Sequence, residues 1–297
     1  MATRRTDGPL AWQSKVILLL VLPWTVGFVI LQSRWWTTQI PVVAYTTLGV
    51  SAIFGLIVWR LRAATASAAE TGAVITASLM FSTSSFPYQY SWLHGALLPL
   101  LSVFIMAFLA TRIGKAKKEF LGTAESKRGR NAAQVSANLG AAALFGSIDP
   151  GTFYTLGPIL AIAALAEAAA DTVSSEIGQV FGGQPRIITS LKRVETGTDG
   201  AITFIGTAAG AIASATVSAI ATLLWGETWR MWLVWTFAGV FGLLFDSLLG
   251  ATIERRRWLN NDAVNFLSTI SASVFAFVVI QALEIFGYSP FPHMVMY

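Results

Sequence analysis

A chain of 297 residues that is 55% hydrophobic, only 12% charged and has a mean hydropathy of +0.63 lies outside the composition of soluble domains, in which about a quarter of residues are charged. With no cysteine and only two histidines, His94 and His293, it excludes disulfides, thiolate nucleophiles, iron–sulfur clusters and cysteine-ligated zinc, and leaves two imidazoles at most for a metal site or proton relay. The net charge of +5 is a question of membrane orientation before it is one of nucleic acid.

Crossing a hydrocarbon core about 30 Å thick takes roughly 20 apolar residues at 1.5 Å rise. Nine segments qualify: 16–33, 41–61, 66–86, 91–112, 131–148, 152–177, 199–225, 229–252 and 262–287. The first is read as an uncleaved span rather than a signal peptide, because it contains Pro23 and Trp24, runs on to Arg34 and lacks a small-residue cleavage site. The fifth, with Asn131, Gln134 and Asn138, is the least hydrophobic and is expected to be shielded from lipid by its neighbours. The fold class is therefore all-α, a polytopic transmembrane helical bundle of about nine spans. In a nine-span chain alternate loops share a side, and the loops on one side hold every lysine and arginine except Arg34 and Arg230. The positive-inside rule then puts the N-terminus in the cytoplasm and accounts for the net charge without nucleic acid. Trp35, Trp36, Trp92, Trp229 and Trp232 read as interfacial belts. Two inner loops, about 113–130 and 178–198, are long, so a nucleotide or metal site has to be built from them and from helix ends.

Polar residues gather at those inner ends. Lys127, Arg128 and Arg130 abut Asn131 and suit phosphates or lipid headgroups. In the sixth span Glu167, Asp171, Ser174 and Gly178 share one face, and two carboxylates a turn apart can hold a hard cation. The alternative is an interfacial helix end whose acids pair with loop lysines. Glu176 points roughly the other way and joins that face only if the helix unwinds. The second long loop carries Lys192 and Arg193, then Thr196, Gly197, Thr198 and Asp199. These resemble a capped helix start, whose free N–H groups accept phosphate, or else form an ordinary basic loop with a turn. The seventh span has a stripe of Thr203, Thr207, Gly210 and Ser214 suited to close packing, and the eighth sets Asp246 among Gly239, Gly242 and Gly250. Glycines there admit a neighbouring helix and bury the acid against protein. The ninth opens with Asn261, Asp262, Asn265 and Ser268, where Asp262 either joins the polar group or caps the helix. Glu70 reads simply as an acid in a helix first turn.

The segments Lys127–Asn138, Ala170–Gly178, Pro185–Gly200, Asp246–Thr252 and Asn261–Phe266 follow one another over roughly residues 65–287. In order and spacing they resemble the motif series of the transmembrane protein 19 family, which includes plant and cyanobacterial phytyl-phosphate kinase. The chain departs from that series in having Glu195-Thr-Gly-Thr198 in place of a Pro-Pro-Gly-Thr-type turn and Val173 in place of tryptophan. The resemblance divides the chain into an N-terminal segment with two transmembrane helices, 1–64, and a family-like transmembrane catalytic domain with seven, 65–297. It implies a membrane kinase that transfers a phosphoryl group from a nucleoside triphosphate, CTP rather than ATP, to a prenyl monophosphate such as phytyl or geranylgeranyl phosphate. Such an acceptor is already anionic, so catalysis needs positioning and charge neutralisation rather than a strong base.

On the same resemblance Asp171, Glu176, Asp246 and Asp262 hold Mg²⁺, and Asp171, Glu176, Lys192 and Arg193 act in catalysis. Arg128, Asn131, Asn138, Ser175, Thr198, Asp199, Gly200, Asn261 and Asn265 bind nucleotide or phosphate. The expected partners are a prenyl phosphate, a nucleotide and membrane lipids. The expected location is a bacterial inner membrane, with the site facing the cytoplasm. The rival functions are a secondary transporter, whose site would lie near the bilayer midplane, a prenyl-alcohol kinase and a non-catalytic scaffold.

Overall fold

The computed structural model describes residues 10–83, 95–124, 129–148 and 156–287. Its helices in chain order are α1 (Trp12–Gln39), α2 (Pro41–Arg60), α3 (Ala66–Ser82), α4 (Leu97–Arg112), α5 (Lys115–Leu121), α6 (Ala132–Gly146), α7 (Leu156–Phe181), α8 (Phe204–Trp225), α9 (Trp229–Leu249) and α10 (Asn261–Ile285). Each of the nine expected spans coincides with a helix. Among the described residues six are long and apolar enough to cross a membrane alone, and the bent pair α4 and α5 makes a seventh if counted as one span. The helices α3 and α6 have 17 and 15 residues, short of the roughly 20 a full crossing takes.

Local chemistry explains the helix starts. Pro41 opens α2, where its missing N–H costs nothing. Thr65 caps α3, Thr203 caps α8 and Asn260 caps α10. At α6, Asn131 and Gln134 form a reciprocal capping box, with Asn131 Oδ1 accepting from Gln134 N at 3.0 Å and Asn131 N donating to Gln134 Oε1 at 2.9 Å. Between α4 and α5 the chain bends by 66° at Gly114, whose φ of +62° favours glycine and where a Cβ would collide with Val180.

The centre of the bundle is α7. Of its apolar stretch 78% is buried, against 22% in α1, so α7 is the core helix and α1 faces outward. The run Ala161–Ala170 is buried throughout, and seven of its residues are alanine. Such small side chains let α4, α6, α8, α9 and α10 all close on it. Buried polar groups join the helices far from water: Trp235 Nε1 donates to Ile159 O at 2.9 Å and Ser273 Oγ to Leu160 O at 2.9 Å. The glycine stripes foreseen in α8 and α9 are helix contacts. A Cβ at Gly210 would come within 2.7 Å of Ala170 O, and one at Gly239 within 2.9 Å of the Ala166 carbonyl carbon. The helix α6 packs among α1, α3, α7 and α10, which gives its amides protein neighbours.

After α7 the chain forms a small hairpin rather than a helix. Strand β1 (Arg186–Ile187) pairs antiparallel with β2 (Ala201–Ile202). The stretch from Asp199 to Ile202, expected to begin the seventh span, is therefore taken up by the hairpin, and α8 starts only at Phe204.

Candidate functional site

One end of the bundle collects the polar residues, and direct contacts show how its segments meet. Thr65 N donates to Arg130 O and Arg130 N to Ala63 O, which ties the α2–α3 turn to the start of α6. Arg112 Nη2 donates to Leu61 O at 3.3 Å. Lys117 Nζ donates to Val180 O at 2.6 Å, which holds α5 against the end of α7. Ser14 Oγ donates to Asp262 Oδ2 at 2.6 Å and accepts from Asn260 Nδ2 at 2.8 Å, joining α1 to α10. The hairpin reaches the same end, since Gly200 packs against Gly250 and Ala251 just past α9, so tightly that a Cβ at Gly200 has no room. There the helix α9 widens into a π-helical turn, Gly250–Glu254, a distortion often found beside functional groups.

Within this end lies a cluster of acids and amides drawn from α6, α7, α9 and α10. Glu167 is 1% exposed, and its Oε1 has no hydrogen-bond partner among the described residues. The charges of Asp171, Glu167 and Glu254 all act on Asp246, and the Ser268 hydroxyl interacts with both Glu167 and Asp246. As whole residues Asp171 and Asp246 are of intermediate exposure. Asn265 connects the acids to the amides. With its amide turned so that both ends are satisfied, its nitrogen donates to Asp246 Oδ2 at 3.3 Å and Asn261 O at 3.0 Å, while its oxygen accepts from Asn138 Nδ2 at 3.2 Å. Asn138 Nδ2 also donates to Gln134 O at 2.8 Å. Gly242 makes this meeting possible, because a Cβ there would run into the Glu167 side chain and lie 3.0 Å from Ser268 O. Arg130 Nη2 donates to Thr172 Oγ1 at 3.3 Å, which brings a guanidinium to the residue after Asp171.

Several foreseen site residues therefore come together: Asp171, Asp246, Asn138, Asn265 and Asn261. Glu176 and Asp262 do not join them. The helix α7 stays regular to Phe181, so Glu176 remains on the far side from Asp171, where Lys118 Nζ donates to its Oε2 at 2.6 Å. Asp262 faces Ser14, and the cap of α10 belongs to Asn260, whose Oδ1 accepts from Ala263 N at 2.9 Å. Among the described residues no group of three or more His, Cys, Asp or Glu is arranged to hold a metal ion. Asn131 spends its side chain on the α6 cap. Lys192 and Arg193 lie exposed on the hairpin and Ser175 is exposed on α7. Thr198 Oγ1 donates to Glu195 O at 2.7 Å in the turn, so the residue capping α8 is Thr203 and not Thr198. Arg128 lies outside the described residues. The residues assigned roles on the resemblance leave out Glu167 and Arg130, although the sequence sets Glu167 one turn from Asp171 and Arg130 beside Asn131.

Residues 49–273 match the family described as Integral membrane protein DUF92. The chain belongs to that family. The chain is 38% identical over 185 residues to the uncharacterized membrane protein MJ0933 of Methanocaldococcus jannaschii, an alignment covering 62% of this chain and 75% of the relative. It is 30% identical over 187 residues to Protein VTE6, chloroplastic, of Arabidopsis thaliana, covering 60% of this chain and 56% of that protein. It is 27% identical over 207 residues to the uncharacterized membrane protein sll0875 of Synechocystis, covering 64% and 79%. No solved structure matches it significantly. Membership in DUF92, together with the apolar helices, makes this an integral membrane protein.

Proposed function

We propose that this DUF92 protein is a membrane kinase that transfers a phosphoryl group from a nucleoside triphosphate, CTP rather than ATP, to a prenyl monophosphate. The observation that carries the reading is that Asp171 and Glu167 on α7 lie within electrostatic range of Asp246 on α9, near the Asn138–Asn265 amide pair and the Arg130 guanidinium, at one end of an apolar bundle. Carboxylates beside amide and cationic donors suit a reaction in which charge on phosphates is positioned and neutralised. The motif resemblance to a family with a plant phytyl-phosphate kinase and the similarity to a plant chloroplast protein support the same reading.

In the proposed reaction an oxygen of the monophosphate attacks the γ-phosphorus of the nucleotide, and the bond from that phosphorus to the β,γ-bridging oxygen breaks. A prenyl diphosphate forms and the nucleoside diphosphate leaves with the bridging oxygen. Asp171 and Asp246 would hold Mg²⁺, which is commonly bound by one or two carboxylates while phosphate oxygens and water complete its shell. Bound there, the ion would supply charge neutralisation at the transferring group. Asn138 and Asn265 would orient phosphate oxygens, and Arg130 would bind the acceptor phosphate. In this reading the protein sits in a bacterial inner membrane with this end facing the cytoplasm, an orientation that the charge bias of the loops supports.

Purified protein given geranylgeranyl monophosphate, Mg²⁺ and γ-labelled CTP is expected to form labelled diphosphate. Asp171→Asn and Asp246→Asn are expected to lower turnover by roughly 10²-fold or more. Full turnover by both variants would remove the acids from the chemistry. Substrate uptake into proteoliposomes without any phosphoryl transfer would favour the transporter.

A further inference from the structure

A cavity of about 440 Å³ opens among α2, α3, α4 and α6 beside the acid cluster. Its size falls within the range of small-molecule sites, and its two ends differ in chemistry. The deep part is lined by Phe54, Val58, Leu100, Phe104 and Leu139, with Gly72 leaving open space on the α3 side. The other end is bordered by Arg62, Arg112, Lys115 and Arg130, and among the described residues no aspartate or glutamate lines the cavity. Arg112 is held at this border, its guanidinium carbon 3.4 Å from the Phe108 ring centroid and its Nη2 donating to Leu61 O.

We infer that this cavity binds the acceptor lipid of the proposed reaction, a single-chain isoprenoid monophosphate, with the chain among the aromatic and aliphatic residues and the phosphate at the four cations. The inference rests on the kinase reading for what happens next, but the binding stands on the cavity alone. At about 30 Å³ per water-sized group the space takes roughly fifteen such groups, enough for most of one terpenoid chain and too few for the two acyl chains of a bilayer phospholipid. Four cations from three stretches of the chain, of which Lys115 also lies 4.0 Å from Glu119 on the exposed side of α5, suit a doubly charged monophosphate and not an alcohol. The phosphate end also faces the acids. Arg130 bonds to Thr172, the neighbour of Asp171, and Asn138 both lines the cavity and bonds to Asn265, which bonds to Asp246. A phosphate held by Arg130 therefore stands where an in-line donor at Asp171 and Asp246 would meet it.

The test is photolabelling of the full chain in nanodiscs with a diazirine-bearing geranylgeranyl monophosphate. Labelled peptides should map to Phe54, Leu100 and Leu139, and unlabelled geranylgeranyl monophosphate should compete at least roughly ten-fold better than geranylgeraniol or dioleoyl phosphatidic acid. Gly72→Phe, which fills open space, should abolish that labelling with the thermal stability retained. The Arg62→Gln, Lys115→Gln double variant should weaken competition by the monophosphate roughly ten-fold while leaving that by the alcohol unchanged. Labelling of the outer faces of the helices, equal competition by phosphatidic acid, or unaltered labelling of stably folded Gly72→Phe would each overturn the inference. Cavity labelling in a protein that transfers no phosphoryl group would support the binding site and sink the kinase reading. Turnover with the label elsewhere would do the reverse.

Discussion

The most informative perturbation is at Lys118, because it separates two roles for Glu176. Lys118 is 1% exposed on α5, and its ammonium donates to Glu176 Oε2 at 2.6 Å, Thr111 O at 2.7 Å and Ala110 O at 3.0 Å. It thus satisfies two carbonyls in the last turn of α4, favourably placed at the negative end of that helix, and fastens α5 to α7. Removing one partner of a buried ion pair costs about 3–5 kcal/mol. Since the Glu176 side chain keeps 15% exposure, the lower end applies, and Lys118→Met is expected to cost about 3 kcal/mol. Glu176→Gln leaves the ammonium two carbonyls and an amide oxygen, so it should cost about 2 kcal/mol. The double variant removes both charges and should cost about 2 kcal/mol in all, giving a coupling of about 3 kcal/mol. Unfolding in dodecylmaltoside–SDS mixed micelles, followed by tryptophan fluorescence, measures the cycle. Two outcomes refute the reasoning. One is additivity within about 0.5 kcal/mol; the other is a Glu176→Gln variant of undiminished stability that loses phosphoryl transfer, which would return Glu176 to the chemistry.

Three further perturbations bear on the bundle end. Glu167→Gln replaces a buried carboxyl whose Oε1 has no partner among the described residues, so it should raise stability by about 1–2 kcal/mol in the same micelles while lowering turnover; a destabilised variant would mean that the carboxyl is already compensated. Gly242→Val places a side chain against Glu167 and Ser268, so overpacking should cost about 1–3 kcal/mol and Mg²⁺-dependent activity should fall further than with Gly242→Ala. Asn260→Ala loses the α10 cap and the bond to Ser14, an expected cost of about 1–2 kcal/mol with little change in KM, because Asn260 lies outside the acid cluster; a large rise in KM would place it in the site.

Much of the molecule is visible in the chain itself. Hydropathy places a helix at every foreseen span, since a segment's transfer into hydrocarbon depends on its own side chains. The 3.6-residue period puts Glu167 and Asp171 on one face and shows Gly239 and Gly242 as a surface for close approach, and the glycine contacts bear this out. Cap preference is equally local, and Asn131 followed by Gln134 reads as a helix start. What the linear pattern misjudges is polar residues with more than one available partner. Asp171 and Glu176 stand five residues apart in one motif, yet the regular helix turns them to different neighbours, and only the 66° bend at Gly114 brings Lys118 to meet Glu176. Asp199 to Ile202 suits a helix start by local signals, but pairing with Arg186 and Ile187 takes it into a hairpin that packs on the π-helical turn after Asp246. The cavity was hidden for the same reason. Arg62, Arg112 with Lys115, and Arg130 belong to three separate stretches of the chain and count one by one as topology signals. They become a single border only where α2, α3, α4 and α6 pack together. Membrane insertion is a sum over single segments and is written in their composition, whereas a site is a set of distances between segments, set by which helices their small residues allow to touch.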